Sequence, residues 1–472
     1  RMCLDAAGYQ TRRGDIKRVN GKGEIMTFET KGKENNGATY GRRSDWQDLY
    51  SIAKKYYEAL LADPGNALFH LTDPRGASDK SGRTFNNPYQ YFFEQMHMDD
   101  AIYADESIYE YPMQQGGGND GRPYSFGRPS SGGSKAAYPC KSYGQGRINP
   151  AYFYGVFDPN DMRRDVSITM TGSNGKGVEK LIPFVPNSKA EGGGLTLNKW
   201  DENRQANPWV AAQRKSGING PYMRMSEVYL GYAEVCAALG DVVTGKQYLK
   251  TVRERSFPQG LANTDAFIAS FGNDLVRAII EERGFEYAGE GDRRWTLIRS
   301  GYLPEDIKRI KDMTKAMMDG LATKGYYEFE NGNIISAYIW TKLVDAKTIY
   351  GHRLTAQCPM DKVNDPVLYP GWRGQKDNWE EMGLNYGSST PATNLAIKGL
   401  FEIVSEEEAA SLESQGYTKV NWGIDLVDNR DEYDKYLFWD YDYVSAPIYL
   451  WPFTPNVMAA GGFTNGYGFK QE

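Results

Sequence analysis

The spacing of hydrophobic residues along the chain alternates between helical stretches and long polar segments. Residues 45–63 are the first clear helical stretch, because their apolar side chains recur at intervals of three and four residues. These side chains are Trp46, Leu49, Ile52, Ala53, Tyr56, Tyr57 and Leu60. Pro64 and Gly65 end the pattern, so we predict one amphipathic helix with its tyrosines packed in the core.

A pair of predicted helices lies farther along the chain. Apolar residues recur at helical spacing over 222–239, Gly240 ends the pattern, and Asp241 is a suitable cap for the next helix. Two helices joined so closely form an α–α hairpin of tetratricopeptide shape. Further helical patterns cover 267–300 and 304–321, which places the tetratricopeptide-like hairpins at 45–64 and 222–301.

Polar, glycine-rich segments separate these helices. We expect a loop or irregular hairpin at 9–43, a short hairpin at 172–194, and no helix within 114–149. Aromatic residues without helical spacing mark two long loops, at 111–156 and 364–390. The predicted fold is therefore mainly α, a superhelix of helical hairpins with long irregular loops and minor short β hairpins, arranged as a single domain over 1–472.

Composition narrows the possible functions. The net charge of −6 comes without a stripe of lysine and arginine, which argues against nucleic acid as a partner. No apolar run reaches the roughly 20 residues of a membrane-spanning helix. The four cysteines and three histidines are scattered, and phosphate-loop, dinucleotide and HExxH motifs are absent from the sequence, so we predict no metal and no cofactor.

The run EERGFEYAGEGDRRWTLIRSG contains the strongest candidate for chemistry. Glu282, Glu286 and Glu290 are spaced by four residues and would share one helix face, with Arg283, Arg293 and Arg299 within reach. Two of these carboxylates could act as acid and base on a glycosidic bond, or all of them could tie helices together as ion pairs. We favour the ion pairs, because neighbouring arginines keep a carboxylate charged, whereas a general acid must hold its proton.

Two motifs resemble the SusD/RagB family of nutrient-binding proteins. One family pattern, R-x-x-E-x-Y-L-x-x-A-E, is matched by Arg224, Glu227, Tyr229, Leu230, Ala233 and Glu234. The other, E-R-x-x-E-x-x-x-E-G-x-R-x-x-D-L-x-R-x-G, is matched by Glu282, Arg283, Glu286, Glu290, Gly291, Arg293, Leu297, Arg299 and Gly301. The chain departs from the family at Lys250, where asparagine is usual, and at Thr296, where aspartate is usual.

The resemblance implies a non-catalytic protein that binds oligosaccharides at the outer membrane of the cell. It also implies a lipid anchor and a SusC-like TonB-dependent transporter as partner. Residues 1–8 are similar to the end of a helix with Gly8 as its stop, so we expect further residues, and any lipidated cysteine, before Arg1. Three alternatives remain open: a peptide-binding member of the family, an α-helical glycoside hydrolase, and an intracellular tetratricopeptide adaptor.

The ligand site is predicted on the aromatic loops, because a flat ring covers the apolar face of a sugar while polar side chains bind its hydroxyls. The candidate ligand-binding residues are Tyr124, Phe126, Tyr143, Arg147, Tyr152, Tyr154, Trp372 and Trp379. These rings could instead pack their loops onto the helices. The acidic stretch 425–443 lacks the glycine and final glutamate of an EF-hand, so we interpret it as solvated surface and predict no calcium site.

Overall fold

The structure is a computed structural model that describes most of the chain in twelve ranges. These are 1–74, 87–97, 103–119, 121–130, 141–173, 179–186, 193–202, 209, 211–345, 393–434, 440–462 and 464–469. Trp372, Trp379 and the predicted aromatic loop at 364–390 lie outside these ranges. Within them, no helix combines the length and apolar character needed to cross a membrane.

Helices account for most of the regular structure. The first eight are α1 Met2–Ala7, α2 Trp46–Ala62, α3 Pro88–Gln95, α4 Gly121–Phe126, α5 Arg163–Ser167, α6 Met225–Ala238, α7 Val242–Glu254 and α8 Thr264–Ala269. They are followed by α9 Leu275–Glu286, α10 Asp292–Ser300, α11 Leu303–Lys324, α12 Glu406–Ser414, α13 Gly423–Asp428, α14 Arg430–Asp434 and α15 Pro455–Gly461. A π-helical turn covers Tyr152–Val156.

The strands form several small antiparallel sheets. The first nine are β1 Gln10–Arg13, β2 Phe28–Asn35, β3 Ala38–Arg43, β4 Ser107–Tyr111, β5 Ile168–Thr169, β6 Thr171–Ser173, β7 Glu179–Leu181, β8 Thr196–Leu197 and β9 Gly220–Arg224. The others are β10 Tyr326–Glu328, β11 Ile334–Ser336, β12 Tyr338–Asp345, β13 Thr393–Lys398 and β14 Thr418–Asn421. Three-stranded sheets have the orders β1–β3–β2 and β13–β12–β14, and β4 pairs with β9.

The predicted α–α hairpin is formed by α6 and α7. Gly240 has φ +92°, a left-handed conformation that glycine adopts without strain, and it lies in the turn between the two helices. The side chain of Asp241 then accepts a hydrogen bond of 3.2 Å from the backbone amide of Thr244 and caps α7. Because α6 also packs against α2 and α9, its buried residues cover most of its surface, and the tetratricopeptide-like α–α fold is confirmed.

Several local predictions differ from the structure. The segment 9–43 contains a three-stranded sheet, and the short helix α4 lies in a segment predicted to have none. The first residues of the helix predicted at 222–239 belong instead to β9, which pairs with β4. Tyr56, expected in the core, is 70% exposed, because α2 buries only one narrow face that includes Tyr50 and Tyr57. These differences arise from tertiary pairing, which local spacing does not encode.

Candidate ligand-binding cleft

Buried ion pairs connect the helices behind the candidate site. Glu286, near the end of α9, lies within 3.0 Å of Arg163, Arg224 and Arg255, which come from three different segments. Among the described residues, the connected group contains five cationic and five anionic side chains. They are Arg163, Arg224, Arg253, Arg255 and Lys199 with Glu106, Asp161, Glu282, Glu286 and Glu290.

This group confirms that the three glutamates form ion pairs and opposes acid–base work by Glu286. The partners are not the neighbouring Arg283, Arg293 and Arg299, which pair with Asp292, Glu281 and Glu234 instead. Glu290 lies beyond the end of α9 rather than on its face.

Burial by itself would raise the pKa of Glu286, but Arg224, Arg255 and Arg163 outweigh burial and hold that pKa well below its usual range. A carboxylate in this state has no proton to donate near neutral pH. Lys199 is affected in the opposite direction, because burial lowers the pKa of its ammonium group to about 8 despite the nearby Glu290.

The ion network fixes the turn between α9 and α10, which forms one wall of a cleft. Glu290 accepts hydrogen bonds from Arg224 at 2.9 Å and from Lys199 at 2.6 Å. Gly289 has φ +81°, and a side-chain carbon at this position would overlap Leu197. Gly291 precedes α10 with φ +87°. Both glycines therefore allow a tight turn that a larger residue would strain.

The opposite wall is held by backbone pairing around β8. The amide of Leu197 donates to the carbonyl of Gly146 at 3.2 Å, the amide of Ile148 donates to the carbonyl of Leu195 at 3.0 Å, and Arg147 lies between these two contacts. Helix α4 ends beside this wall at Phe126. Just after α4, the amide of Arg128 donates a hydrogen bond of 2.8 Å to the carbonyl of Trp200, which holds the end of the helix in place.

Between these walls lies an accessible hollow of about 470 Å³, which we call the binding cleft. This volume falls in the range typical of ligand pockets, about 300–1,000 Å³. Its apolar and aromatic lining includes Phe126, Ile148, Leu197, Trp200, Pro221 and Tyr287. Its charged lining consists of Arg122, Arg147, Arg293, Arg294 and Glu290.

Two of the predicted ligand-binding residues, Phe126 and Arg147, line the binding cleft. Phe126 is 46% exposed and so presents an accessible ring. Arg147 is half-buried, and burial lowers the pKa of its guanidinium to about 10, which leaves it charged at neutral pH. Tyr124 and Tyr143 form an edge-to-face pair with ring centroids 5.0 Å apart. Tyr124 is buried and Tyr143 is partly exposed, and neither is among the residues that line the cleft.

The other predicted residues are placed differently. Tyr154 is fully buried, donates a hydrogen bond to the carbonyl of Leu400 at 3.2 Å and stacks on Phe329. A ligand has no access to its ring, so we do not retain Tyr154 in the proposed site. Tyr152 lies in the same π-helical turn as Tyr154 and is largely buried, with its ring beside that of Phe285 in α9. The expected roles of Trp372 and Trp379 concern residues outside the described ranges.

Several residues around the cleft are not among the candidate ligand-binding residues chosen from the sequence. Trp200 and Arg122 line it, and the guanidinium of Arg122 lies 5.9 Å from the ring centroid of Trp200 and 5.9 Å from that of Tyr111. Tyr111 belongs to an exposed group with Tyr109 and Tyr222 on paired strands β4 and β9, each ring about half exposed. Strand alternation of SIYEYP could have indicated the outward direction of Tyr109 and Tyr111.

The described residues offer little for metal chemistry. Across the ranges that the structure describes, no group of three or more histidine, cysteine or acidic side chains is arranged to hold a metal ion. Cys3 and Cys236 are free thiols. The side chain of Asp425 in the acidic stretch 425–443 is buried rather than solvated, and burial raises its pKa. The interpretation of this whole stretch as solvated surface is thus wrong at Asp425.

The α–α hairpins and the cleft at their edge define a tetratricopeptide-like scaffold that presents a concave site on its connecting segments. Residues 68–370 match the SusD family. This match covers more than half of the 472 residues, and the chain therefore belongs to the SusD family.

Individual relatives share low sequence identity with this chain. The SusD-like protein P25 of Formosa agariphila is 28% identical over 160 residues, which is 34% of this chain and 26% of that protein. A SusD homologue from Bacteroides thetaiotaomicron shares 18% identity with a TM-score of 0.41, covering 58% of this chain and 52% of the other. Surface glycan-binding protein A from the same organism, in complex with laminarihexaose, shares 19% identity with a TM-score of 0.37, covering 55% and 52%. The chain thus spans about a quarter of the curated relative and about half of these solved structures.

Proposed function

We propose that the protein captures an oligosaccharide in the binding cleft at the cell surface and passes it unchanged to a SusC-like TonB-dependent transporter. The observation that carries this proposal is the accessible cleft of about 470 Å³, which combines an exposed phenylalanine ring with several guanidinium groups. Membership of the SusD family supports nutrient capture as the general role.

The lining of the cleft suits a sugar ring. The exposed ring of Phe126 offers a flat apolar surface for the C–H face of the sugar. Arg122 and Arg147 supply donors for hydroxyl oxygens, because each guanidinium carries five N–H groups in a fixed plane. The backbone pairing around Leu197 and the ion network behind Glu290 hold both walls in place, so little ordering is needed on binding.

The ion-paired state of Glu286 supports the non-catalytic part of the proposal. Isothermal titration calorimetry against a panel of oligosaccharides and of short peptides tests the binding part. Heat from at least one oligosaccharide, reduced by substitution in the cleft, is the expected result. If only the peptides produce heat, the ligand is a peptide rather than a sugar. New reducing ends after incubation with polysaccharides would make the protein a glycoside hydrolase.

Delivery and location form a separate part of the proposal, carried by the family membership. We expect the full-length protein to be lipid-anchored in the outer membrane and to co-purify with a TonB-dependent transporter encoded beside it. Affinity purification from detergent-solubilised outer membranes, with an unrelated surface lipoprotein as the control bait, measures this association. Recovery of the protein from the cytoplasm without a transporter would favour the intracellular adaptor instead.

A further inference from the structure

We infer that the sugar captured in the binding cleft carries an anionic group, either a carboxylate of a uronic acid or a sulfate ester. This inference rests on the proposed function and adds the chemical class of its ligand. Among the residues that the structure describes, four arginines and one acidic residue line the cleft: Arg122, Arg147, Arg293, Arg294 and Glu290. The charge state of each group decides whether this lining is positive.

The negative charge of Glu290 is already neutralised. It belongs to the buried network in which five cationic side chains meet five anionic ones, and its own partners are Arg224 and Lys199. The network behind the cleft is therefore balanced overall. Because Glu290 is bonded on both carboxylate oxygens, at 2.9 and 3.1 Å to Arg224, it adds little negative potential to the cleft.

Arg293 belongs to a second, partly buried cluster, and that cluster keeps a surplus of positive charge. Arg277, Arg293 and Arg309 share only Glu281 and Asp306 among the described residues. Three cations facing two anions leave one net positive charge beside the cleft. A charge in such a partly closed, low-dielectric position acts more strongly on a bound ligand than one on open surface.

Arg294 adds a further positive charge at the edge of the cleft. Its side chain donates a hydrogen bond of 2.6 Å to the carbonyl of Tyr449 and lies 5.7 Å from the ring centroid of Trp295. Among the described residues it has no carboxylate at ion-pair distance. Its guanidinium therefore keeps N–H groups for a ligand, and a planar carboxylate or a sulfate is the partner that this geometry binds best.

The cleft also keeps a neutral surface for the rest of the sugar. Phe126 and Trp200 line it together with the guanidinium of Arg122, which lies against the strand at Gly220, where any side-chain carbon would overlap it. An anionic sugar would thus meet a ring on one side and guanidinium groups on the other. A neutral sugar would leave the surplus positive charge uncompensated, which favours the anionic ligand.

Calorimetry with three oligosaccharides of equal length tests the inference: oligogalacturonate, a sulfated galactan fragment and a neutral laminarin fragment. We expect at least one acidic oligosaccharide to bind at least tenfold more tightly than the neutral one, with an affinity that falls as sodium chloride is raised. The carboxylated and sulfated probes distinguish the two sources of the charge. Equal or tighter binding of the neutral fragment would overturn the inference while leaving oligosaccharide capture intact. If none of the three binds, the inference is overturned, whereas heat from another neutral oligosaccharide in the larger panel would still support capture.

Two variants test whether the preference for acidic oligosaccharides arises in the cleft. Arg294→Gln should weaken the acidic oligosaccharide about tenfold, because it removes one charge from the edge of the cleft. Arg18→Gln is the matched control, since Arg18 is exposed and is not among the residues that line the cleft. Circular dichroism checks that both variants fold. Equal losses in the two variants would mean that overall charge, rather than the cleft, attracts the ligand, and would contradict the inference.

Discussion

Arg224 and Glu290 form a two-pronged ion pair, with Nη2 to Oε1 at 2.9 Å and Nε to Oε2 at 3.1 Å. Arg224 ends strand β9 and directly precedes α6, whereas Glu290 lies in the turn between α9 and α10. The same guanidinium also contacts Glu286 and Glu106. One buried side chain therefore connects the scaffold of helices to the wall of the binding cleft.

Arg224→Met should destabilise the protein by about 3–5 kcal/mol, because it leaves three buried carboxylates short of a partner. The free energy of unfolding from urea titration measures this loss. Lys250→Met is the control, since Lys250 pairs with Glu254 on the surface, where both side chains are about half exposed. Exposed pairs of this kind contribute about 0–1 kcal/mol. Similar losses in the two variants would contradict a structural role for the network.

Stability should also fall in acid. The pKa values of Glu286, Glu234 and Asp306 lie below their ordinary values in the folded protein, in each case because arginines outweigh burial. The unfolded chain then binds protons first as the pH decreases, so stability is complete above the ordinary glutamate value of about 4.5 and is lost progressively below it. Urea midpoints should be constant between about pH 7 and 6 and decrease steadily below about pH 5. A midpoint that does not change down to about pH 3 would contradict this expectation.

The ion network could be predicted from the sequence only in part. The spacing of Glu282 and Glu286, with arginines nearby, is enough to predict a structural network rather than catalysis. The partners Arg163, Arg255 and Glu106 come from distant segments, and no local pattern connects them. Their pairing depends on how the hairpins pack, which is a property of the tertiary structure.

Aromatic residues are harder to assign. Phe126 and Tyr154 both lie in the aromatic loop at 111–156, yet one lines the cleft and the other is buried against Phe329. Composition cannot separate these cases, because a loop ring is equally suited to packing and to binding. Trp200 is not predicted for a related reason, since it lies apart from the aromatic loops in the sequence and is joined to them by a backbone hydrogen bond from Arg128.

The turn at Gly289 offers a test of the cleft wall. Gly289→Ala should cost about 2–4 kcal/mol, because it combines a left-handed backbone with overlap against Leu197. Gly260→Ala is a matched control, since Gly260 has nearly the same φ of +83° but no atom within 4 Å of the added carbon. The difference between the two variants in urea titration isolates the contact with Leu197. If the variants lose equal stability, the close packing of this turn is not required.

The ring of Phe126 should contribute directly to binding. Phe126→Ala should weaken the best oligosaccharide found by calorimetry about tenfold, through loss of a stacking surface. Tyr56→Ala removes a more exposed ring from the outer face of α2, which does not line the cleft, and should leave the affinity unchanged. Unaltered binding by the Phe126 variant, with its fold intact, would place the site elsewhere on the molecule.

The exposed tyrosines beside the cleft predict a dependence on the length of the ligand. The guanidinium of Arg122 lies at equal distances from Trp200 inside the cleft and from Tyr111 outside it. Tyr111 packs edge to face against Tyr222 with centroids 5.4 Å apart, so the rings continue the lining of the cleft onto β4 and β9. A longer oligosaccharide should reach these rings, whereas a short one should occupy the cleft alone.

Tyr111→Ala should therefore weaken a hexasaccharide several-fold, consistent with loss of about 1 kcal/mol of ring contact, and leave a disaccharide unaffected. Calorimetry with both lengths measures the difference, and Tyr103→Ala, which removes another half-exposed ring outside the group, is the control. Equal losses for the two lengths would mean that Tyr111 supports Arg122 rather than touching the ligand. No loss for either length would confine the binding site to the cleft, because the sugar chain then never extends across the exposed face of the paired strands.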